Sequence, residues 1–275
     1  MPAVEGLSID RPGLVLDGES AGDGSPVLLL HGLSATRRYV LHGSTALERS
    51  DRRVVSFDAR GHGESDPAPD PAAYRYADMA DDAIAVLDAA GIDRAALVGQ
   101  SMGAATAVRV ALEHAERVGA LVLVTPAHLG RPSEDLDRWD ALADGLLRGG
   151  PEGFLAAYGA PRAPERWVPT IRSVILQRLA RHRHPAAVAD ALRAVPRSTA
   201  FDGLAALEGV AAPTLVVGSR DDVDGEHPLA VAERYRDLIP GARFVVEEPG
   251  EAPLAWRGAA LSAAVADFLD EAEAG

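Results

Sequence analysis

The sequence predicts an α/β protein, a mostly parallel twisted sheet flanked by helices with a helical insertion, on three observations. First, short and mainly apolar runs recur near residues 26–30, 53–57, 95–98, 120–124, 214–217 and 243–246, each the length of a buried strand. Second, helix-forming runs lie between several of them. Residues 77–90 space Met79, Ile84, Val86 and Leu87 at a helical period and stop at Gly91, and further helices are expected at 102–115, 228–238 and 257–273. Strand and helix in alternation favour parallel pairing through right-handed crossovers. Third, residues 126–205 separate two strands by far more than a crossover needs. They read as helices at 134–148, 152–158, 165–182 and 185–194, broken at Gly149-Gly150-Pro151 and between Pro161 and Pro164. The expected organisation is a core of 1–125 and 206–275 with a helical cap at 126–205. Ahead of the first buried run, Leu7-Ser8-Ile9-Asp10 and Leu14-Val15-Leu16 flank Pro12-Gly13 as a short hairpin.

Composition narrows the function. A chain of 275 residues suits one large domain with an insertion and a substantial core. The net charge of −14 disfavours nucleic acid and anionic membranes as partners and leaves a small-molecule substrate as the expected one. There is no lysine, so no Gly-Lys-Ser/Thr phosphate loop can form, and His31-Gly32-Leu33-Ser34 offers too few glycines for a dinucleotide turn. There is no cysteine, hence no disulfide, thiol nucleophile or thiolate metal site. No cofactor is expected. The first residues lack a basic and apolar signal pattern, and no apolar run approaches the ~20 residues of a membrane span, so a cytoplasmic location is the expectation.

Chemistry is concentrated in Gly99-Gln100-Ser101-Met102-Gly103. An apolar strand precedes it and Ala104-Ala105-Thr106-Ala107-Val108 follows as a helix. A serine on so sharp a strand-to-helix turn has its hydroxyl pushed out above the sheet, and the flanking glycines are needed because side chains there would collide with neighbouring backbone. The earlier run Pro26–Leu30 leads into His31-Gly32-Leu33-Ser34. The N–H of Leu33 and that of Met102 are the expected pair of oxyanion donors.

The run Arg53–Phe57 ends in Asp58-Ala59-Arg60-Gly61-His62-Gly63-Glu64-Ser65. With His-Gly before it and Gly-x-Ser-x-Gly after it, the chain resembles the α/β-hydrolase superfamily, in its esterase and C–C-bond-hydrolase branches, over nearly its whole length. The resemblance implies a serine nucleophile, Ser101, and a carboxylate after the next core strand, where Asp221 stands with Asp222 and Asp224 beside it. It also implies a histidine after the last strand, and there the pattern breaks. Glu251 occupies that place, and no histidine exists beyond His227. Ordinary glutamate is about two pKa units less basic than imidazole, so it is a weak base for a serine hydroxyl unless burial raises its pKa.

Three readings follow. A relocated histidine, His227 or else His128, serves a serine-type acyl hydrolase of an ester, thioester or lactone, with Asp221, Asp222 or Asp224 orienting it. Alternatively Glu251 is the base of a non-hydrolytic epimerase, lyase or cyclase. In the third reading the site binds a small molecule without turnover. His31, His128, Trp139 and Trp167 are the expected pocket residues, His31 chiefly as a brace for the oxyanion loop. Asp58, Arg60 and His62 are expected to hold neighbouring loops through an Arg60–carboxylate pair, and His182 and His184 to lie on an exposed segment.

Overall fold

The computed structural model describes residues 3–161, 163–220, 226–248 and 256–274. Eight strands form one sheet: β1 (Val4–Arg11), β2 (Leu14–Ala21), β3 (Ser25–Leu30), β4 (Arg52–Phe57), β5 (Ala95–Gln100), β6 (Val118–Val124), β7 (Thr214–Val217) and β8 (Arg243–Val245), in the order β1-β2-β4-β3-β5-β6-β7-β8. Only β1 with β2 and β2 with β4 are antiparallel. The remaining pairs are parallel. The helices are α1 (Tyr76–Ala89), α2 (Met102–Glu113), α3 (Leu136–Tyr158), α4 (Val168–Leu179), α5 (Pro185–Arg197), α6 (Leu229–Leu238) and α7 (Gly258–Ala274). Among the described residues no helix is long and apolar enough to cross a membrane.

The apolar strands are sorted by their period of two. Leu28 and Leu30, Leu97, Leu121 and Leu123 enter one core with α1, α2 and α6, while Val27 and Leu29, Val98, Val122 and Val124 enter another with α7. A strand flanked by helices on both faces has no polar side to show, and that is why these runs are continuously apolar. The hairpin runs longer than the sequence reading, to Ala21. Leu14, Leu16 and Ser20 are buried on alternate positions, with Asp17 and Glu19 between them, and Gly18–Ala21 pairs antiparallel with β4.

The insertion between β6 and β7 has a core of its own, built from Leu142, Leu146, Phe154, Ile175, Leu179, Val188 and Leu192. Its first helix is kinked where the sequence indicated a break: Gly149 and Gly150 leave helical geometry, Gly150 with φ 61°, and Pro151 restarts the helix. The helix expected at 165–182 starts with a short 3-10 turn at Glu165–Trp167, and α4 proper begins at Val168.

One buried ion pair ties the loop after β4 to α1. Arg60 lays Nε and Nη2 on the two carboxylate oxygens of Asp82 at 2.7 Å each, and Arg11 Nε reaches Oδ1 at 2.9 Å. The Asp82 side chain is 1% exposed. Breaking a buried pair leaves an uncompensated charge, so Asp82→Ala is expected to lower stability by about 3–5 kcal/mol. Urea unfolding checks this, and a loss below about 1 kcal/mol would show that Arg60 finds water or another partner.

Candidate active site

The strand order reverses between β3 and β5. From β3 the chain crosses to β4 on one side, and it returns through α1 to β5 on the other. Such a point opens a crevice at the carboxyl ends of the strands. The loop after β3 carries Leu33 and Ser34, and the turn after β5 carries Ser101. Because Leu30 pairs with Gly99, the two turns emerge side by side.

Ser101 has φ 52° and ψ −110°, a conformation a side-chain-bearing residue adopts only when its surroundings impose it. The turn is closed by its glycines. A Cβ on Gly99 would overlap the carbonyl of Gly103, and a Cβ on Gly103 would overlap the carbonyl of Leu30. The Ser101 N–H donates to Val124 O at 3.0 Å, tying the turn to β6. Met102 opens α2, so its N–H is one of the donors that a helix start leaves without an intrahelical partner. Among the described residues neither the Leu33 nor the Met102 N–H is bonded to a backbone acceptor. The positive end of the α2 dipole lies at the same place.

The Ser101 Oγ meets Nε2 of His227 at 2.7 Å. His227 stands on the connection between β7 and α6, just before Pro228 and the first turn of that helix. An imidazole nitrogen at this distance can take the hydroxyl proton as the oxygen attacks. Asp221, Asp222, Asp224 and Glu251, the carboxylates expected at the site, lie outside the described residues.

A cavity of about 550 Å³ opens onto this pair. Leu33, Ser34, Ser101, Met102 and His227 form its floor. Leu142, Phe154, Tyr158, Ile171, Val174, Ile175 and Leu192 from the insertion form an apolar wall, and Tyr76 and Val195 line it as well. Charged groups join it too, among them Arg138, whose guanidinium pairs with Glu226 beside His227. Of the expected pocket residues, His128 and Trp139 line the cavity. Trp139 donates its indole N–H to Ser133 Oγ at 3.2 Å.

Two expectations are corrected. His31 does not line the cavity. It is turned down into the core, donating from Nδ1 to Gly32 O at 2.8 Å and accepting at Nε2 from the Ala59 N–H at 2.8 Å. Nor does Trp167 line it: the 3-10 turn before α4 leaves it half-buried beneath Arg166, and α4 supplies Ile171, Val174 and Ile175 to the wall instead.

His128, the other candidate base, accepts the Ala200 N–H at Nε2 (3.1 Å) and sits between the rings of Tyr76 and Phe201. Burial pushes its pKa down to about 4. With that lone pair occupied it cannot also serve the serine.

The sequence alone does not show a cluster of histidines beneath the loop after β3. His182 is only 7% exposed although Arg181 and Arg183 on either side of it are exposed, and its ring lies 5.5 Å from that of His62, which lies 5.1 Å from that of His31. Burial, the largest cause in each case, lowers the pKa of His31 to about 4 and those of His62 and His182 to about 3. Each ring nitrogen in the trio has a backbone partner, and among the described residues no group of three metal-ligating side chains forms. The one available signal, His31 and His62 beside glycines in two core loops, says nothing of His182 and does not reveal that residues 34, 62 and 182 meet.

Comparison with known proteins agrees with this fold. The profile of the family described as alpha/beta hydrolase fold matches residues 25–164. The chain is 30% identical over 250 residues to "Putative carbamate hydrolase RutD" of Variovorax paradoxus (strain S110), covering 90% of this chain and 92% of that one. Among solved structures it is similar to Est816, described as an N-acyl homoserine lactone degrading enzyme, at 27% identity and TM-score 0.68, over 87% of this chain and 90% of the other. It is also similar to an esterase from Exiguobacterium antarcticum, at 25% identity and TM-score 0.74, over 96% and 99%. With the matching profile, the parallel sheet, the serine turn and the relatives together, the chain belongs to the α/β hydrolase fold family and is a hydrolase of that fold.

Proposed function

We propose that this chain is a serine-type acyl hydrolase acting on a small, largely apolar ester, thioester or lactone, with its base moved from the end of the chain to the β7–α6 connection. The observation that carries the proposal is the 2.7 Å contact between Ser101 Oγ and His227 Nε2. In this mechanism Ser101 attacks the substrate carbonyl while its proton passes to His227. The N–H groups of Leu33 and Met102 hold the oxyanion of the tetrahedral adduct. The adduct collapses as His227 returns the proton to the leaving oxygen or sulfur. Water, deprotonated by the same imidazole, then cleaves the acyl-serine. One of Asp221, Asp222 and Asp224 orients the imidazole, and residues 126–205 act as the cap over a core of 1–125 and 206–275.

The substrate class rests on the cavity. A volume of about 550 Å³ is that of a site for a medium-sized organic molecule, whereas the carbamate in the name of the RutD relatives is only a few atoms. The wall of Leu142, Phe154, Ile171, Ile175 and Leu192 would be largely unused by so small a molecule. The N-acyl homoserine lactone named for Est816 carries an acyl chain of the kind that would use it. On p-nitrophenyl esters, kcat/KM is therefore expected to rise from acetyl to hexanoyl, by about threefold or more per added methylene pair. A flat or falling series would point back to a minimal substrate.

Intact-mass spectrometry after exposure to a fluorophosphonate tests the mechanism. Wild type is expected to gain one adduct, Ser101→Ala none, and His227→Ala an adduct only at a greatly reduced rate. No adduct on wild type, under conditions that label a known serine esterase, would sink the proposal and return attention to Glu251 or to ligand binding without turnover.

A further inference from the structure

The histidine trio does more than fill space. Ser34, next to the oxyanion donor Leu33, sits in the left-handed region at φ 56°, a conformation that costs a serine energy and persists only where the surroundings hold it. Imidazoles hold it on both sides. The Ser34 N–H donates to His62 Nε2 at 3.2 Å, and the Ser34 carbonyl accepts from His182 Nε2 at 3.1 Å. His62 and Ser34 both belong to the core, whereas His182 comes from the insertion, 148 residues along the chain from Ser34.

His182 also uses its second nitrogen. Nδ1 accepts the Gly63 N–H at 2.9 Å, and the adjacent Arg183 N–H donates to Gly63 O at 2.9 Å. Gly63, with φ 50°, is packed so tightly on the Asp58 carboxylate that a Cβ would overlap it. That carboxylate in turn accepts from the backbone N–H and the Nη1 of Arg37, at 2.8 and 2.6 Å, just past the oxyanion loop. The short turn after α4 is therefore bonded to both core loops that shape the donor. The two bonds at His182 fix its tautomer, with the proton on Nε2, because a carbonyl can only accept and an N–H can only donate.

We propose that His182 is a positioning residue for the oxyanion loop: by bridging Ser34 and Gly63 it sets the seat of the cap and the placement of the Leu33 N–H as one unit. This rests on the reading of Ser101 as nucleophile and Leu33 as oxyanion donor. Substrate contact is not required of His182; its effect passes through the peptide of Ser34. A cap shifted from this seat would release the Ser34 carbonyl, and the strained loop would relax away from the geometry that the tetrahedral adduct needs.

The second-order rate of fluorophosphonate labelling at Ser101 tests this, since the phosphoryl oxygen occupies the oxyanion site during attack. It is measured well below the melting temperature of each variant. His182→Phe keeps the bulk and removes both hydrogen bonds. It is expected to slow labelling by about ten- to a hundredfold and to lower kcat on an ester by a similar factor with KM little changed. His182→Gln, with one donor and one acceptor on a long stem, is expected to recover most of the rate, and His182→Asn, too short to bridge Ser34 and Gly63, is not. If the Phe variant does not fold, the Gln and Asn pair carries the comparison. Labelling at the wild-type rate in folded Phe and Asn variants would overturn the proposal while leaving the serine mechanism intact. A wild type that does not label at all would remove both.

Discussion

On the proposed mechanism, His227→Ala is expected to lower kcat on an activated ester by about 10⁴- to 10⁶-fold, and adding Ser101→Ala to it to lower the rate little further. The size follows from the chemistry of a hydroxyl nucleophile. Without a base within hydrogen-bonding distance, the serine must lose its proton to water, and the transition state loses up to about 8 kcal/mol. The lack of additivity follows from the 2.7 Å contact: one residue supplies the oxygen and the other removes its proton, so either loss disables the same step. What remains is hydrolysis by water in a site that still holds the oxyanion donors, about 10³-fold or more above solution. Steady-state kinetics of the three variants on one ester decide it. If His227→Ala kept more than about a tenth of the rate, another group would be taking the proton.

Stability is expected to fall steeply as the pH drops from about 6.5 towards 4, well before most carboxylates titrate. His31 and His128 have their pKa values lowered to about 4, and His62 and His182 to about 3, by burial in every case. In the unfolded chain each returns to about 6.5. Between those values the unfolded state holds protons that the folded state does not, so the unfolding free energy decreases as pH falls. Each group contributes about 1.4 kcal/mol per pH unit across its window, and near pH 5 the four together approach about 5 kcal/mol per unit. Against a typical total of about 5–15 kcal/mol this is decisive.

The hydrogen bonds give the same sign. Protonating His31 at Nε2 sets an N–H against the Ala59 N–H, protonating His62 at Nε2 sets one against Ser34, and protonating His182 at Nδ1 sets one against Gly63. Urea midpoints at pH 7, 6 and 5 measure the slope, and His182→Gln should reduce it by close to one proton. A midpoint that stays level from pH 7 to 5 would mean that these rings are hydrated and titrate normally.

Much of this was open to reading because the governing forces are local or periodic. The strands β3, β5, β6 and β7 could be read because a strand buried on both faces has mainly apolar residues to show. The elbow could be read because Gly99 and Gly103 permit a close approach that no other residue type allows. Where the hairpin ends could not, since Asp17 and Glu19 look like a turn until β4 is known to lie beside them. His182 was hidden for a different reason. Arg181-His182-Arg183-His184 has the polarity of an exposed stretch, and its burial is decided by Gly63 and Ser34, whose distance along the chain no window spans. Trp167 illustrates the reverse: an aromatic in the insertion reads as a pocket residue, whereas α4 lines the cavity with Ile171, Val174 and Ile175.

The seat of His227 on the connection leaving β7 also bears on when the enzyme becomes reactive during its own synthesis. The turn holding Ser101 needs only β3, β5, β6 and α2, all from the first half of the chain. The imidazole arrives only after the whole insertion has emerged and β7 has joined β6 at Leu121–Val124. On the proposed mechanism a ribosome-bound chain would thus carry a formed but unactivated hydroxyl while the insertion is being made, because chains take shape from the N-terminus as they are synthesised. Nascent chains stalled before residue 214 should bind ester analogues weakly, if at all, and react with none. Chains stalled once α6 is clear of the exit tunnel should acquire labelling in a single step.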